Sequence, residues 1–415
     1  MSKELTYQQM EALERFKKLR VGALFMQMGT GKTRTALELV NHNKVDFLLY
    51  LTPFSTINNV IKEIEKWGVN CKYKVVGYET IASSDRTYLK LLSELDNYEN
   101  KFIIADESIF IKNSSTNRFH RSKELREKCQ YALVLNGTPL VKSEWDLINQ
   151  MKFLSEKIIP MKSYDILQNF FEEHRCRKNG REFSYYTFYE PNRPVLAKLV
   201  EPYVFYANLE FDKEEKEYNI WVDVDDEKYQ ETKMMILEKS LEDYDVFIQL
   251  FQALNKEAAC CIEKNIEVAK YIEGKQIICF CNFLEEIKQI NSNCDCYVIT
   301  GDTPIKERNK ILEEFEKDTK PLLLTLGVGS YSLNLQFCNE IVYSSISFDY
   351  GRIEQSKYRI KRTGQTRNIE YTYILSRLKI NEMIFRNLDE KKSLSEIVSN
   401  IIQNENIENF IEKNL

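Results

Sequence analysis

No uninterrupted apolar stretch in the 415 residues approaches the roughly 20 needed to cross a bilayer. A membrane-spanning chain is therefore not expected, and a soluble protein with no membrane partner is. The first ten residues, MSKELTYQQM, lack the apolar core of a secretory signal, so the expected compartment is a reducing cytoplasm in which the ten cysteines stay unpaired. The two-residue gap of a zinc knuckle is also missing. The close pairs are Cys260/Cys261, Cys279/Cys281 and Cys294/Cys296, and buried strand and helix thiols fit them better than metal ligands. A strong charge bias is absent too: net charge is −5 and pI about 5.7. That argues against indiscriminate phosphate binding but leaves room for a basic cleft on an acidic protein.

What is present is a length suited to two domains with a connector. In the first part, the apolar runs 47–51, 102–105 and 131–135 read as buried strands, separated by helical stretches such as 56–67 and 84–95. This alternation is the βαβ rhythm of a parallel sheet. A second series follows, with strands at 276–281, 297–300, 321–326, 340–344 and 369–375 and a helix at 305–316. Between the two series, the segment 209–273 is rich in Glu, Lys and Asp, begins strand-like at Tyr218–Val224 and turns helical near Glu227. Large apolar residues persist there (Met234, Ile236, Leu241, Phe247, Leu250, Phe251, Leu254), so it reads as a folded helical connector. Residues 175–194 read as an irregular excursion of the first lobe.

Two segments of the first part carry chemistry. Gly29-Thr30-Gly31-Lys32-Thr33 follows the apolar run Ala23-Leu24-Phe25-Met26 and leads into a helical stretch, the strand, loop and helix order of a phosphate-binding loop. There the glycines let backbone N–H groups curl around phosphates at a helix N-terminus. Lys32 supplies a mobile cation, and the Thr33 hydroxyl can ligate magnesium. Met26 stands where the fuller pattern has its first glycine, and alone the segment also reads as a Gly-rich turn capping a helix. Further on, the run 102–105 ends in Asp106-Glu107. Asp106 can hold magnesium through water and Glu107 can take a proton from the water that attacks the γ-phosphorus. By itself that pair also reads as a helix cap; following Lys32 in the same sheet, it gains weight.

Taken in order along the chain, these blocks resemble the motifs of the superfamily-two helicases, and their details resemble the Swi/Snf branch, over residues 5–375. Leu5-Thr6-Tyr7-Gln8 resembles the leading glutamine motif, which implies that Gln8 reads adenine. Leu51-Thr52-Pro53 is similar to motif Ia, and Asp106-Glu107-Ser108-Ile109-Phe110-Ile111-Lys112-Asn113 to the extended acidic motif. Leu135-Asn136-Gly137-Thr138-Pro139 resembles motif III, followed by a helix from Ser143 to Leu154 with Trp145. TLGVGSYSLNL at 325–335 resembles motif V, and 354–365, ending in Gly364-Gln365, resembles motif VI with that branch's Gly-Gln ending. Arg359 and Arg362, three apart, would share one helix face and reach across a cleft to the γ-phosphate.

The resemblance implies an α/β protein of two tandem RecA-like parallel-sheet lobes. The first spans 1–205 and binds ATP through Gln8, Gly29, Thr30, Gly31, Lys32 and Thr33. A helical connector spans 206–272, and the second lobe, bearing the arginines, spans 273–415. ATP and Mg²⁺ are the implied cofactors, with Thr33 and Asp106 on the metal and Lys32, Asp106, Glu107, Arg359 and Arg362 as the catalytic set.

The implied activity is an ATP-dependent motor that moves along or remodels duplex DNA, forked and branched forms included. It would be held through phosphates with weak sequence preference. Thr52, Pro53, Asn282, Thr300, Gly301 and Thr325 are the candidate contacts, each equally readable as strand-end capping. Arg118, Arg121, Lys123 and Arg126 suit either a track lining or a solvated helix face. The chain departs from the family at Ile109, where a His usually couples the nucleotide site to motif III, at Asn136, where Thr or Ser is usual, and at Tyr206-Ala207, where paired arginines often stand. Without remodeller accessory modules, a compact bacterial or phage motor is expected, in the bacterial or phage-infected cytoplasm, with replication or recombination proteins as partners. A strand-separating DNA or RNA helicase and a binding scaffold with a decayed ATPase are the rival readings.

Overall fold

The computed structural model describes residues 4–137, 144–178, 181–237, 244–329, 333, 335–362 and 364–389. The chain divides into two compact units, Met1–Glu210 and Phe211–Leu415. The first is built on strands β1 (Val21–Met26), β2 (Phe47–Thr52), β3 (Lys72–Gly77), β4 (Lys101–Asp106) and β5 (Tyr131–Asn136). A hairpin, β6 (Phe171–Lys178) and β7 (Arg181–Phe188), and then β8 (Val204–Ala207) follow. Six of these form one sheet in the order β3-β2-β4-β5-β1-β8, every pairing parallel. Both faces are covered, which is why β1, β2, β4 and β5 are continuous apolar runs rather than alternating ones.

Alternation shows instead in which core each residue joins. Ala23 and Phe25 of β1 pack with Leu125, Leu147 and Ile148 on one face. Leu24 and Met26 pack with Ala12, Phe16, Leu37 and Val40 on the other. Helices Tyr7–Phe16, Lys32–His42 and Ile57–Trp67 thus cover one side, and Asp85–Leu95, Asn117–Glu127 and Glu144–Leu154 the other. The hairpin is its own two-stranded sheet with an unbroken register from Phe171↔Phe188 to Lys178↔Arg181. It is regular where irregular chain was expected.

The second unit contains β9 (Glu215–Val222), β10 (Ile278–Cys281), β11 (Tyr297–Ile299), β12 (Leu322–Thr325), β13 (Glu340–Tyr343) and β14 (Ile369–Ser376). They form a parallel sheet in the order β11-β12-β10-β13-β14-β9. The stretch 206–272, expected as a connector, is folded into this unit from Phe211 onward. β9 adds to the edge of β14 in register from Ile369↔Glu215 to Ser376↔Val222, and Leu250, Phe251, Leu254 and Ala258 enter the unit's core. Its polar composition follows from that position, because β9 is an edge strand whose first six residues are exposed. Ile236, Leu241 and Phe247 fall where side chains are not described. Cys279, Cys281, Cys294 and Cys296 share one apolar cluster, and burial raises the thiol pKa of Cys281, Cys294 and Cys296. Among the described residues no helix is long and apolar enough to cross a membrane, and no group of three or more His, Cys, Asp or Glu could hold a metal.

Candidate nucleotide site and its surroundings

β1 ends at Met26 and the chain turns through 27–31 into the helix Lys32–His42. Gly29 and Gly31 take φ of 84° and 85°, the left-handed region that glycine enters at no steric cost. Gly31 is constrained twice, since a Cβ there would stand 2.0 Å from Gln9 Nε2. Thr30 Oγ1 donates to the Gln27 carbonyl at 2.6 Å, and Lys32 Nζ donates to the Met26 carbonyl at 2.8 Å. The position that departs from the fuller phosphate-loop pattern thus supplies the carbonyl on which the lysine rests.

The glutamine assignment changes. Gln8 is half-buried, and its Nε2 donates to the Asn208 carbonyl at 3.0 Å and to Glu210 Oε1 at 3.4 Å, holding the chain that leaves β8. Gln9 is the buried one: its Nε2 donates to the Thr30 carbonyl at 2.9 Å, and its Oε1 accepts from Thr6 N at 3.1 Å. Thr6 caps the helix and Gln9 is its third residue. The sequence signal was there, because Thr-x-x-Gln is a capping box, and it fixes which of two adjacent glutamines faces the loop. Gln9→Ala is expected to weaken nucleotide binding by roughly 10-fold, the worth of about one hydrogen bond of 1.4 kcal/mol, with Gln8→Ala near wild type. Titration with a fluorescent ADP analogue checks both.

β4 delivers Asp106 and Glu107, separated in the sheet from β1 only by β5. Asp106 is fixed through three atoms. Its Oδ1 accepts the Glu107 N–H at 2.9 Å, its Oδ2 the Tyr50 hydroxyl at 3.0 Å, and its carbonyl the Tyr78 hydroxyl at 2.8 Å. Withdrawal from water and then the neighbouring Glu107 push its carboxyl up to about 6, with Lys32 pulling the other way. A cation is what such a carboxylate favours. Thr33 and Asp106 offer oxygen donors of the kind magnesium takes, so the residues fit that ion. Glu107 has φ 48° and ψ 52°. For a non-glycine residue this is strain of order 1–3 kcal/mol, the kind that collects at functional sites.

The extended acidic motif docks the helix Glu144–Leu154. Ser108 Oγ donates to Gln150 Oε1 at 2.5 Å, Lys112 Nζ lies 3.4 Å from Asp146 Oδ2, and Asn149 Nδ2 donates to the Lys112 carbonyl at 2.6 Å. The polar link that Ile109 cannot make to the segment after β5 is thereby replaced by others. Asn136 is buried at the end of β5, and a Cβ on Gly137 would lie 3.9 Å from Lys32 Nζ. Thr138, Pro139 and Ser143 lie outside the described residues.

In the second unit, the helix Tyr350–Lys357 ends before the arginines. The expectation that one helix face carries both is corrected. Arg359 sits in the following turn, 1% exposed, with its N–H on the Ser356 carbonyl at 3.0 Å and its own carbonyl accepting from Leu335 N at 3.2 Å. Arg362 is half-buried and donates from Nε to the Tyr358 carbonyl at 2.8 Å. Gln365 holds this turn in place. Its Nε2 reaches the Gln336 and Cys338 carbonyls at 3.0 and 2.8 Å, and its Oε1 accepts from Thr366 N and Arg367 N at 3.0 and 3.1 Å. Gly364 at φ 101° lets the chain enter it. The Gly-Gln ending is therefore structural. Gln365→Ala should cost about 1–3 kcal/mol by stranding those buried groups. The melting transition of the second unit should fall by roughly 2–4 °C for each kcal/mol, as calorimetry would show.

The candidate polymer contacts are mixed. Thr52 and Pro53 are buried, and the Thr52 hydroxyl is spent on Thr56 at 2.5 Å; exposure at that strand end belongs to Phe54 and Ser55. Thr300 and Thr325 are half-buried and Gly301 is exposed; Arg308 takes the Thr300 and Gly301 carbonyls at 3.1 and 2.9 Å. Asn282 follows β10, its N–H on Glu286 Oε2 at 3.0 Å; that carboxylate belongs to a fully buried ion pair with Lys264 at 3.2 Å. The basic stretch after the acidic motif is half-buried and engaged. Arg121 bonds the Ile81 carbonyl and Asp85, Lys123 pairs with Glu156, Arg126 bonds the Leu154 and Cys129 carbonyls, and Arg118 lies over Phe110 at 5.2 Å.

Residues 258–365 match the helicase conserved C-terminal domain. The chain is 22% identical to the DNA annealing helicase and endonuclease ZRANB3 of Bos taurus, over 89% of this chain and 38% of that protein. It is 22% identical to an uncharacterized ATP-dependent helicase of Mycoplasma pneumoniae, over 90% of this chain and 40% of that one. The chain thus spans well under half the length of these curated relatives. Among solved structures it is similar to the SWI2/SNF2 ATPase core of Sulfolobus solfataricus in complex with dsDNA. That match has a TM-score of 0.42 and 20% identity, and covers 98% of this chain and 96% of that one.

Proposed function

We propose that the chain is an ATP-hydrolysing member of the Swi/Snf-like branch of the superfamily-two helicases, a reading supported by its match to the helicase C-terminal domain and its similarity to two helicases, and that it hydrolyses ATP to move along or remodel duplex DNA. The observation that carries the reading is the convergence on one sheet edge of the glycine loop with Lys32 and Thr33, after β1, and of Asp106 and the strained Glu107, after β4. In this reading Lys32 and the loop N–H groups hold the β- and γ-phosphates, with Gln9 bracing the loop. Thr33 and Asp106 hold Mg²⁺, which when bound neutralises phosphate charge. Glu107 accepts the proton of the attacking water. Arg359 and Arg362 are the residues this reading assigns to supply cations to the γ-phosphate.

The decisive experiment measures ATP turnover with no polymer, single-stranded DNA, duplex, forks and RNA. Stimulation by duplex above the other polymers supports the reading, and equal rates throughout would overturn it. DNA affinity is further expected to fall steeply with salt and to change little with sequence, because phosphate contacts release counterions and carry no base information. A salt series on two unrelated duplexes by fluorescence anisotropy checks this.

One observation favours strand separation as a second reading. The β6–β7 hairpin is a regular two-stranded element outside the main sheet, the kind of part a wedge requires. A fork-unwinding assay beside triplex displacement separates the two.

A further inference from the structure

We infer that Tyr50 is a positioning residue for the magnesium site, its hydroxyl joining Thr33 to Asp106 and setting the orientation of both. The inference rests on the nucleotide-site reading above. Tyr50 lies on β2 among Leu48, Leu49 and Leu51, all fully buried. Packing at that position asks only for an apolar side chain, and a phenol placed there must find partners for its hydroxyl. Both partners belong to the site: the hydroxyl donates to Asp106 Oδ2 at 3.0 Å and is hydrogen-bonded by the Thr33 side chain.

With Glu107 N–H on the other oxygen at 2.9 Å, both carboxylate oxygens are held before any cation arrives. Tyr78 provides the contrast. It is equally buried, packs in the core on the opposite face of the sheet, and touches the same residue, but at its backbone carbonyl, 2.8 Å away. One tyrosine orients the ligand atoms, and the other anchors the strand end. Groups that hold a metal's carboxylate from behind typically change metal affinity by 10–100-fold when removed, while nucleotide contacts to the loop are unaffected by them.

The test is a magnesium titration of fluorescent ADP analogue binding, with the same binding measured in EDTA, on wild type, Tyr50→Phe and Tyr78→Phe. In Tyr50→Phe the magnesium concentration at half-effect should rise at least about 10-fold. Affinity in EDTA should stay within about twofold of wild type, since the loop contacts remain. Tyr78→Phe should leave the magnesium midpoint in place. Thermal melting reports whether each variant is folded, and Tyr50→Met, which keeps the apolar volume, repeats the titration should the Phe variant melt early. An unchanged midpoint in folded Tyr50 variants, or an equal shift in Tyr78→Phe, overturns the inference while leaving the site intact. Wild-type binding indifferent to magnesium overturns the site reading and the inference with it.

Discussion

Lys32→Ala is expected to abolish ATP turnover by removing nucleotide binding, whereas Glu107→Gln keeps binding and loses turnover by roughly 10²–10⁴. The difference follows from where each group acts. Lys32 rests 2.8 Å from the Met26 carbonyl inside the glycine loop, so it is placed to meet phosphate oxygens. Its loss removes a charge from ground state and transition state alike. Glu107 follows the residue that would hold the metal and is kept there in a backbone conformation that costs energy. Glutamine preserves its size and can accept the same backbone contacts but cannot take the proton. Equilibrium binding and single-turnover hydrolysis measured on both variants separate the effects. If Glu107→Gln turned over ATP at more than a few per cent of wild type, another group would be the base.

The parallel sheets were legible because a strand covered on both faces is a plain apolar run. β2, β4, β5, β10, β12, β13 and β14 all lie within a residue or two of the runs read from sequence. What was not legible lies at edges and in long-range contacts. β3 is an edge strand, exposed at Lys72 and Tyr73, so its residues need not be apolar. β8 is four residues long, and β9, read from sequence only from Tyr218, gives no local sign that it joins β14 across more than a hundred residues of chain. Of the adjacent Gln8 and Gln9, the motif resemblance points to the first, while the Thr6-x-x-Gln9 capping box places the second against the loop. The arginines were put on one helix face by spacing alone. No local signal says that Arg359 turns inward or that Gln365, through five backbone groups, bends the chain after it.

That last difference sharpens what to expect from the arginines. Arg359, 1% exposed and part of a turn braced by Leu335 and Gln365, has a structural share, so its replacement mixes stability with chemistry. Arg362 is half-buried, and its Nε bond to the Tyr358 carbonyl four residues back is local. If Arg362 supplies the cation that hydrolysis needs, as proposed, Arg362→Ala should bind nucleotide as wild type does. Its hydrolysis should fall by the roughly 10³ to 10⁵ that an arginine finger supplies. Stimulation by DNA should vanish with it, because polymer binding cannot restore transition-state stabilisation that the missing cation would supply. Arg362→Lys should recover only a fraction, since an ammonium cannot reproduce the planar fork. Near-normal DNA-stimulated turnover in folded Arg362→Ala would mean that this arginine is a turn residue and that the cations completing the site come from elsewhere in the chain.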